Sequence, residues 1–218
     1  MLTRFMTAAG ACAIFCAGAQ ASMVYNDTTG DLFDNAMTNL DIHYVTVYHT
    51  DVSVSMYIEV GDNLSNADWG KYLVAIDAYE GGAADNPWGR NIDYSGVEAD
   101  RFIGSWVNGG GGVLGYKHYG GWNEDNSGLS MFVEDSSITF TFSREWLGAD
   151  ITQFNFDVMS TGDGDAPGVD HLSRSDVATP GWADTSSSGD FLTYTLPAPG
   201  ALVLLGIAGL ASTRRRRR

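Results

Sequence analysis

Basic residues are scarce in this chain. Its 218 residues carry 12 Lys and Arg against 27 Asp and Glu, a formal net charge of −15. That balance argues against a nucleic-acid partner, which needs clustered Lys and Arg on the folded part. Cysteine is nearly absent: Cys12 and Cys16 both lie near the start, so a chain that loses its leader has no disulfide. Charged residues make up only 18%, and no apolar run reaches the roughly 20 residues of a stable membrane span. Against these deficits stand 27 glycines and an aromatic content of 12%. That mixture is typical of a turn-rich β protein and atypical of a helical bundle.

The two ends differ from the middle. Arg4, an apolar stretch from Met6 to Ala19, and the small residues Ala19 and Ala21 around Gln20 form a signal-peptide pattern over 1–21, with Ser22 as the expected mature start. At the other end Pro197 and Pro199 precede a twelve-residue apolar run from Gly200 to Ala211. Five arginines follow: Arg214, Arg215, Arg216, Arg217 and Arg218. As a short helix the run would be about 18 Å long, against about 30 Å of hydrocarbon, so it predicts a transient stop rather than an anchor. The arginines would hold that end on the cytoplasmic side.

Proline pair, short apolar run and arginine cluster together resemble the PEP-CTERM sorting signals of Gram-negative bacteria, with Ala198 where that family usually has Glu. The resemblance implies an exosortase-type processing enzyme as partner and transient insertion in the inner membrane. It also implies delivery to the envelope, cell surface or extracellular matrix of an exopolysaccharide producer.

Between the ends, residues 22–196 form one domain-sized body. One basic residue lies in the leader and five in the tail, leaving six in the body with all 27 acids, a net charge of −21. Period-two alternation predicts strands over 41–49 and 52–60, where Val54, Met56, Ile58 and Val60 alternate with polar neighbours. Further strands are expected over 72–76, 102–108, 113–119, 129–133, 138–143, 153–159 and 191–196, with a helical turn over 144–147. Many short strands without intervening amphipathic helices point to an all-β fold, a single antiparallel jelly-roll-like β-sandwich. The segments at Leu40 to Ile42, Asp68 to Tyr72, Ile76 and Asp77, and Phe140 to Gly148 resemble the DOMON and family 9 carbohydrate-binding module group. That likeness implies a β-sandwich, some of whose members bind sugar ends or haem.

Chemistry is harder to place. His43, His49, His118 and His171 fit no metalloprotease or nucleophile motif, so no enzyme is expected. His43 and His49 are expected on the surface, and haem lacks an identifiable axial pair. Asp163, Asp165 and Asp170 lie around Gly164, Pro167 and Gly168, giving hard oxygen ligands for calcium on a turn-rich loop; the same residues are also ordinary turn formers. Trp88, Trp106, Tyr116, Tyr119 and Trp122 lie in or beside glycine-rich connections, where flat rings complement pyranose faces or pack under loops. Trp69 and Trp146 are expected in the core. Extracellular polysaccharide is the partner this pattern favours; the alternative is a structural matrix protein with no small ligand.

Overall fold

The computed structural model describes residues 22–196. The expected signal peptide and the sorting segment, with Pro197, Pro199 and Arg214 to Arg218, lie outside the described residues.

All nine segments whose patterning predicts a strand contain one. The strands are β1 (Ser22–Asn26), β2 (Ile42–His49), β3 (Ser53–Val60), β4 (Lys71–Asp77), β5 (Ile92–Asp93), β6 (Arg101–Trp106), β7 (Gly112–His118), β8 (Trp122–Glu124), β9 (Ser130–Val133), β10 (Ser137–Ser143), β11 (Gln153–Thr161), β12 (Gly168–His171), β13 (Ser186–Ser187) and β14 (Leu192–Thr195). The predicted helical turn is α1 (Arg144–Leu147), whose start is fixed by the Ser143 hydroxyl accepting the Trp146 N–H at 3.0 Å.

One antiparallel sheet has the order β1-β2-β3-β10-β9. The second runs β12-β11-β4-β6-β7-β8, and β14 also pairs with β11. Inward side chains of both sheets meet in one apolar core: Val45, Val47, Met56, Ile58 and Phe140 from the first, Val74, Ile76, Ile103, Phe156 and Val158 from the second. Trp146 joins them at 1% exposure, as expected of a core ring. Burial of such side chains contributes about 1.5–3 kcal/mol each.

The sequence of β4 has no alternation, and the fold explains it. Tyr72, Val74 and Ile76 face the shared core, while Leu73 and Ala75 face a second apolar cluster on the other side of the same sheet. A strand buried on both faces reads as a continuous apolar run. The second cluster adds Ile92, Tyr94, Ala99, Phe102 and Met159, roofed by the connections 78–100 and 172–191. Those connections are tied to each other by the short parallel pair β5 and β13. The architecture is therefore more than two facing sheets: loops build a further layer over the second one, and that layer supplies Trp88 and Trp182.

One expectation fails in β2. The pairing of β2 with β3 shifts between Ile42 and Tyr44, leaving His43 as an extra residue. The shift puts the two histidines on different faces. His49 turns inward to 8% exposure, with Nδ1 2.7 Å from the Tyr194 hydroxyl, instead of lying on the surface.

Candidate functional site

Glycine makes room for the rings on the outer face of the second sheet. A Cβ at Gly104 would lie 2.4 Å from Trp88 Cζ2, and one at Gly112 would lie 2.1 Å from Trp106 Cζ2. Each indole therefore rests on a strand position that only glycine can fill without displacing it. Trp88 and Trp106 stand 6.4 Å apart between ring centroids, and the buried Phe102 touches Trp88, Tyr116 and Trp122 at 6.0, 6.3 and 6.3 Å. The Trp88 indole N–H donates to the Tyr116 hydroxyl at 3.2 Å, and that of Trp122 donates to Asp85 Oδ1 at 2.9 Å. Trp88, Trp106, Tyr116 and Trp122 are thus brought into one half-buried face; Trp88, Tyr116 and Trp122 pack against the second core.

Tyr119 is elsewhere. Its ring is 68% exposed and lines a cleft of about 520 Å³ with Tyr79, Glu80, Gly82 and His118. The Arg101 guanidinium lies over both tyrosines, 5.2 Å from the Tyr79 centroid and 5.6 Å from that of Tyr119. Burial against Asp100, 2.9 Å away, fixes that cation and hence the two rings.

A third aromatic position went unweighed in the sequence. Trp182 is 41% exposed, and a Cβ at Gly162 would lie 2.8 Å from its ring. Phe33 and Trp69 abut it edge to face at 5.2 and 5.8 Å, which holds the indole upright. It lines two clefts. One, of about 490 Å³, has Trp69, Gly162, Asp163, Asp165 and Ala166 as its other walls. The other, of about 720 Å³, includes Asp85, Asn86, Arg90, Asn91 and Asp165. Arg90 anchors the wall between them by donating from Nη1 to the Gly162 carbonyl at 2.7 Å. An exposed indole bordered by carboxylates and an amide pairs an apolar face with hydroxyl-binding groups.

The acidic residues expected to bind calcium separate. Asp163 pairs with Lys71 at 2.6 Å, and Asp165 lines both Trp182 clefts. Asp170 is on β12, where Oδ2 accepts the Ile42 N–H at 2.6 Å and Oδ1 the His171 N–H at 2.8 Å. Its acidic neighbours are Asp27 and Asp31, on the loop leaving β1, and the three offer ligand atoms all within 4.8 Å of one another. Asp41 braces that loop by accepting the Gly30 N–H on both oxygens at 3.0 Å, with Gly30 turning at φ +79°. Burial, and then the negative Asp170, push Asp27 up to about 9. Burial likewise raises Asp31 and takes Asp170 well above the usual carboxylate range.

His171 lies between an acid and a hydroxyl. Its Nδ1 is 2.8 Å from Asp157 Oδ2 and its Nε2 is 3.1 Å from Ser186 Oγ, the order of a hydrolytic triad. All three are fully buried, the Ser186 oxygen also accepts the Gly168 N–H at 2.8 Å, and Ser188 donates to Asp157 at 2.8 Å. The arrangement ties β11, β12 and β13 together; none of the three residues lines a described cleft. Asp27, Asp31 and Trp182 are the residues that sequence reasoning missed. The acidic, glycine-containing turn just after Asn26 was the available signal for the first two. A scan against known protein-family models finds no match for this chain, and neither does a search of curated protein sequences.

Proposed function

We propose that this chain is an exported, non-enzymatic protein of the bacterial envelope or extracellular matrix that binds polysaccharide through exposed aromatic rings on a jelly-roll-like sandwich. The observation that carries the reading is Trp182, an exposed indole held upright by Phe33 and Trp69 between two clefts lined by Asp165, Asn91 and other polar groups. Tyr79 and Tyr119 supply a second ring pair of the same kind. Trp88, Trp106, Tyr116 and Trp122 extend the aromatic surface while packing over the second sheet.

Charge defines the class of glycan. At −21 the body repels an acidic polymer, so the ligand is neutral or reaches the surface through a bridging cation. Open clefts with one or two rings give dissociation constants of about micromolar to millimolar, which matrix multivalency strengthens. The PEP-CTERM-like end supports export, exosortase-type processing and a transient stay in the inner membrane. Burial of Ser186, His171 and Asp157 supports a role without catalysis, since a nucleophile must meet its substrate.

Affinity electrophoresis through gels containing neutral polysaccharides tests the proposal. Trp182→Ala should migrate faster than the wild type in a retaining gel and identically in a plain one, with a melting temperature close to that of the wild type. Equal retention of Trp182→Ala and the wild type in every gel contradicts binding at this ring.

A further inference from the structure

Two distant parts of the chain, the loop after β1 and strand β12, bring Asp27, Asp31 and Asp170 together with ligand atoms within 4.8 Å of one another. Carboxylates withdrawn from water repel each other and lose hydration unless a cation or donors replace it. Cations do not: among the described residues, no Lys, Arg or His forms an ion pair with any of the three. Arg174, the basic group that acts electrostatically on Asp31, is engaged with Asp176 and with Ser187.

Donors serve only part of the group. Asp170 accepts two backbone N–H groups, and Asp27 Oδ1 accepts the Thr28 N–H at 2.8 Å. Asp27 Oδ2 and both oxygens of Asp31 are buried with no hydrogen-bond partner. Asp31 is only 8% exposed, so whichever oxygen it contributes to the group is unpartnered. A buried side chain with two unserved acceptors, facing two further carboxyl groups within 4.8 Å, offers oxygens that a single cation would serve together.

Hard oxygen ligands on an irregular loop and a strand suit calcium, which bonds at about 2.3–2.6 Å in adaptable geometry; oxygens on opposite sides of such an ion sit about 4.6–5.2 Å apart. Magnesium instead demands near-ideal octahedral geometry and retains several waters. We propose that Asp27, Asp31 and Asp170 bind one calcium ion, with Asp41 positioning the loop through Gly30. The ion cross-links the exit of β1, in the first sheet, to β12, at the edge of the second. This site shares Asp170 with the set Asp163, Asp165 and Asp170 that the sequence offers for calcium, but takes Asp27 and Asp31 in place of the other two, and it stands whether or not the protein binds glycan.

The test is calorimetric titration and thermal unfolding of the purified full-length protein in calcium, in magnesium at equal ionic strength, and in chelator. Calcium should raise the melting temperature saturably and magnesium should not. Asp31→Asn should weaken calcium binding by about a hundredfold or more, beyond the loss caused by disturbing a supporting partner of a metal ligand. Asp163→Asn should keep wild-type affinity. In chelator Asp31→Asn should melt at or above the wild-type temperature, because the carboxyl it replaces is buried with neither oxygen partnered. A wild type indifferent to calcium, an equal response to magnesium, undiminished binding by Asp31→Asn, or a less stable Asp31→Asn in chelator would each overturn the assignment.

Discussion

Replacing Gly104 by Ala probes how the outer aromatic face is seated. The added carbon would sit 2.4 Å from Trp88 Cζ2 and 2.6 Å from Cε2 and Cη2, whereas carbon atoms pack best at about 3.5–4.0 Å. The indole must therefore retreat by about 1 Å or more. Retreat loosens its 3.2 Å hydrogen bond to Tyr116 and its contacts with Phe102 and Trp106. Overpacking of this kind costs about 1–3 kcal/mol, and replacing a strand glycine by alanine returns about 0.5–1 kcal/mol. At the middle of both ranges the net expectation is a loss of about 1 kcal/mol, a fall in melting temperature of about 2–4 °C for a body of this size. Denaturant unfolding of the four proteins in the Gly104→Ala and Trp88→Ala cycle isolates the contact. Without the indole, Gly104→Ala should be neutral or stabilising. A Gly104→Ala protein as stable as the wild type, or the same loss in both backgrounds, refutes the seating argument.

Two further outcomes are expected. Asp125 is pushed down to about 2, first by the hydrogen bond from Lys117, whose Nζ lies 2.8 Å from Oδ2, and then by Ser127. A depressed folded-state value means the contribution is complete above the unfolded value of about 4 and fades as pH falls towards 2. The stability difference between the wild type and Lys117→Met, followed by urea unfolding, should therefore be largest near neutrality and shrink below about pH 4; a difference that grows on acidification reverses the sign and contradicts the pairing. For processing, intact mass of the protein recovered from its native host should show a chain beginning at Ser22 and lacking Arg214 to Arg218, and recovery of a chain still ending at Arg218 contradicts the sorting reading.

The strands were legible where one face is buried and the other wet, because burial then writes itself as alternation. Val54, Met56, Ile58 and Val60 are such a case, and all four are buried. Strand β12 was not legible, because Gly168, Val169, Asp170 and His171 are all buried and no residue type marks a face. Their polar groups are satisfied by Ile42, Asp157 and Ser186, partners that no local pattern announces. This is why Asp170 looked like a turn residue beside Asp163 and Asp165. The acidic centre depends on the same long-range pairing, since Asp27 and Asp31 meet Asp170 only after both sheets have formed. Glycine content predicted turns, yet Gly104 and Gly112 act inside strands. Their role depends on register, which sets Trp106 directly opposite Gly112. Composition drew attention to the rings, but whether a ring packs or projects depends on what rests against it.

The most direct measurement of the central claim is a glycan titration followed through the indole N–H signals of the tryptophans by two-dimensional NMR. The account predicts that the Trp182 signal moves saturably with a neutral polysaccharide fragment, while the signal of Trp146, fixed in the core by donation to the Asp125 carbonyl at 2.7 Å, stays in place. A binding glycan that leaves the Trp182 signal unmoved would contradict it, as would a panel of neutral glycans that moves none of the indole signals.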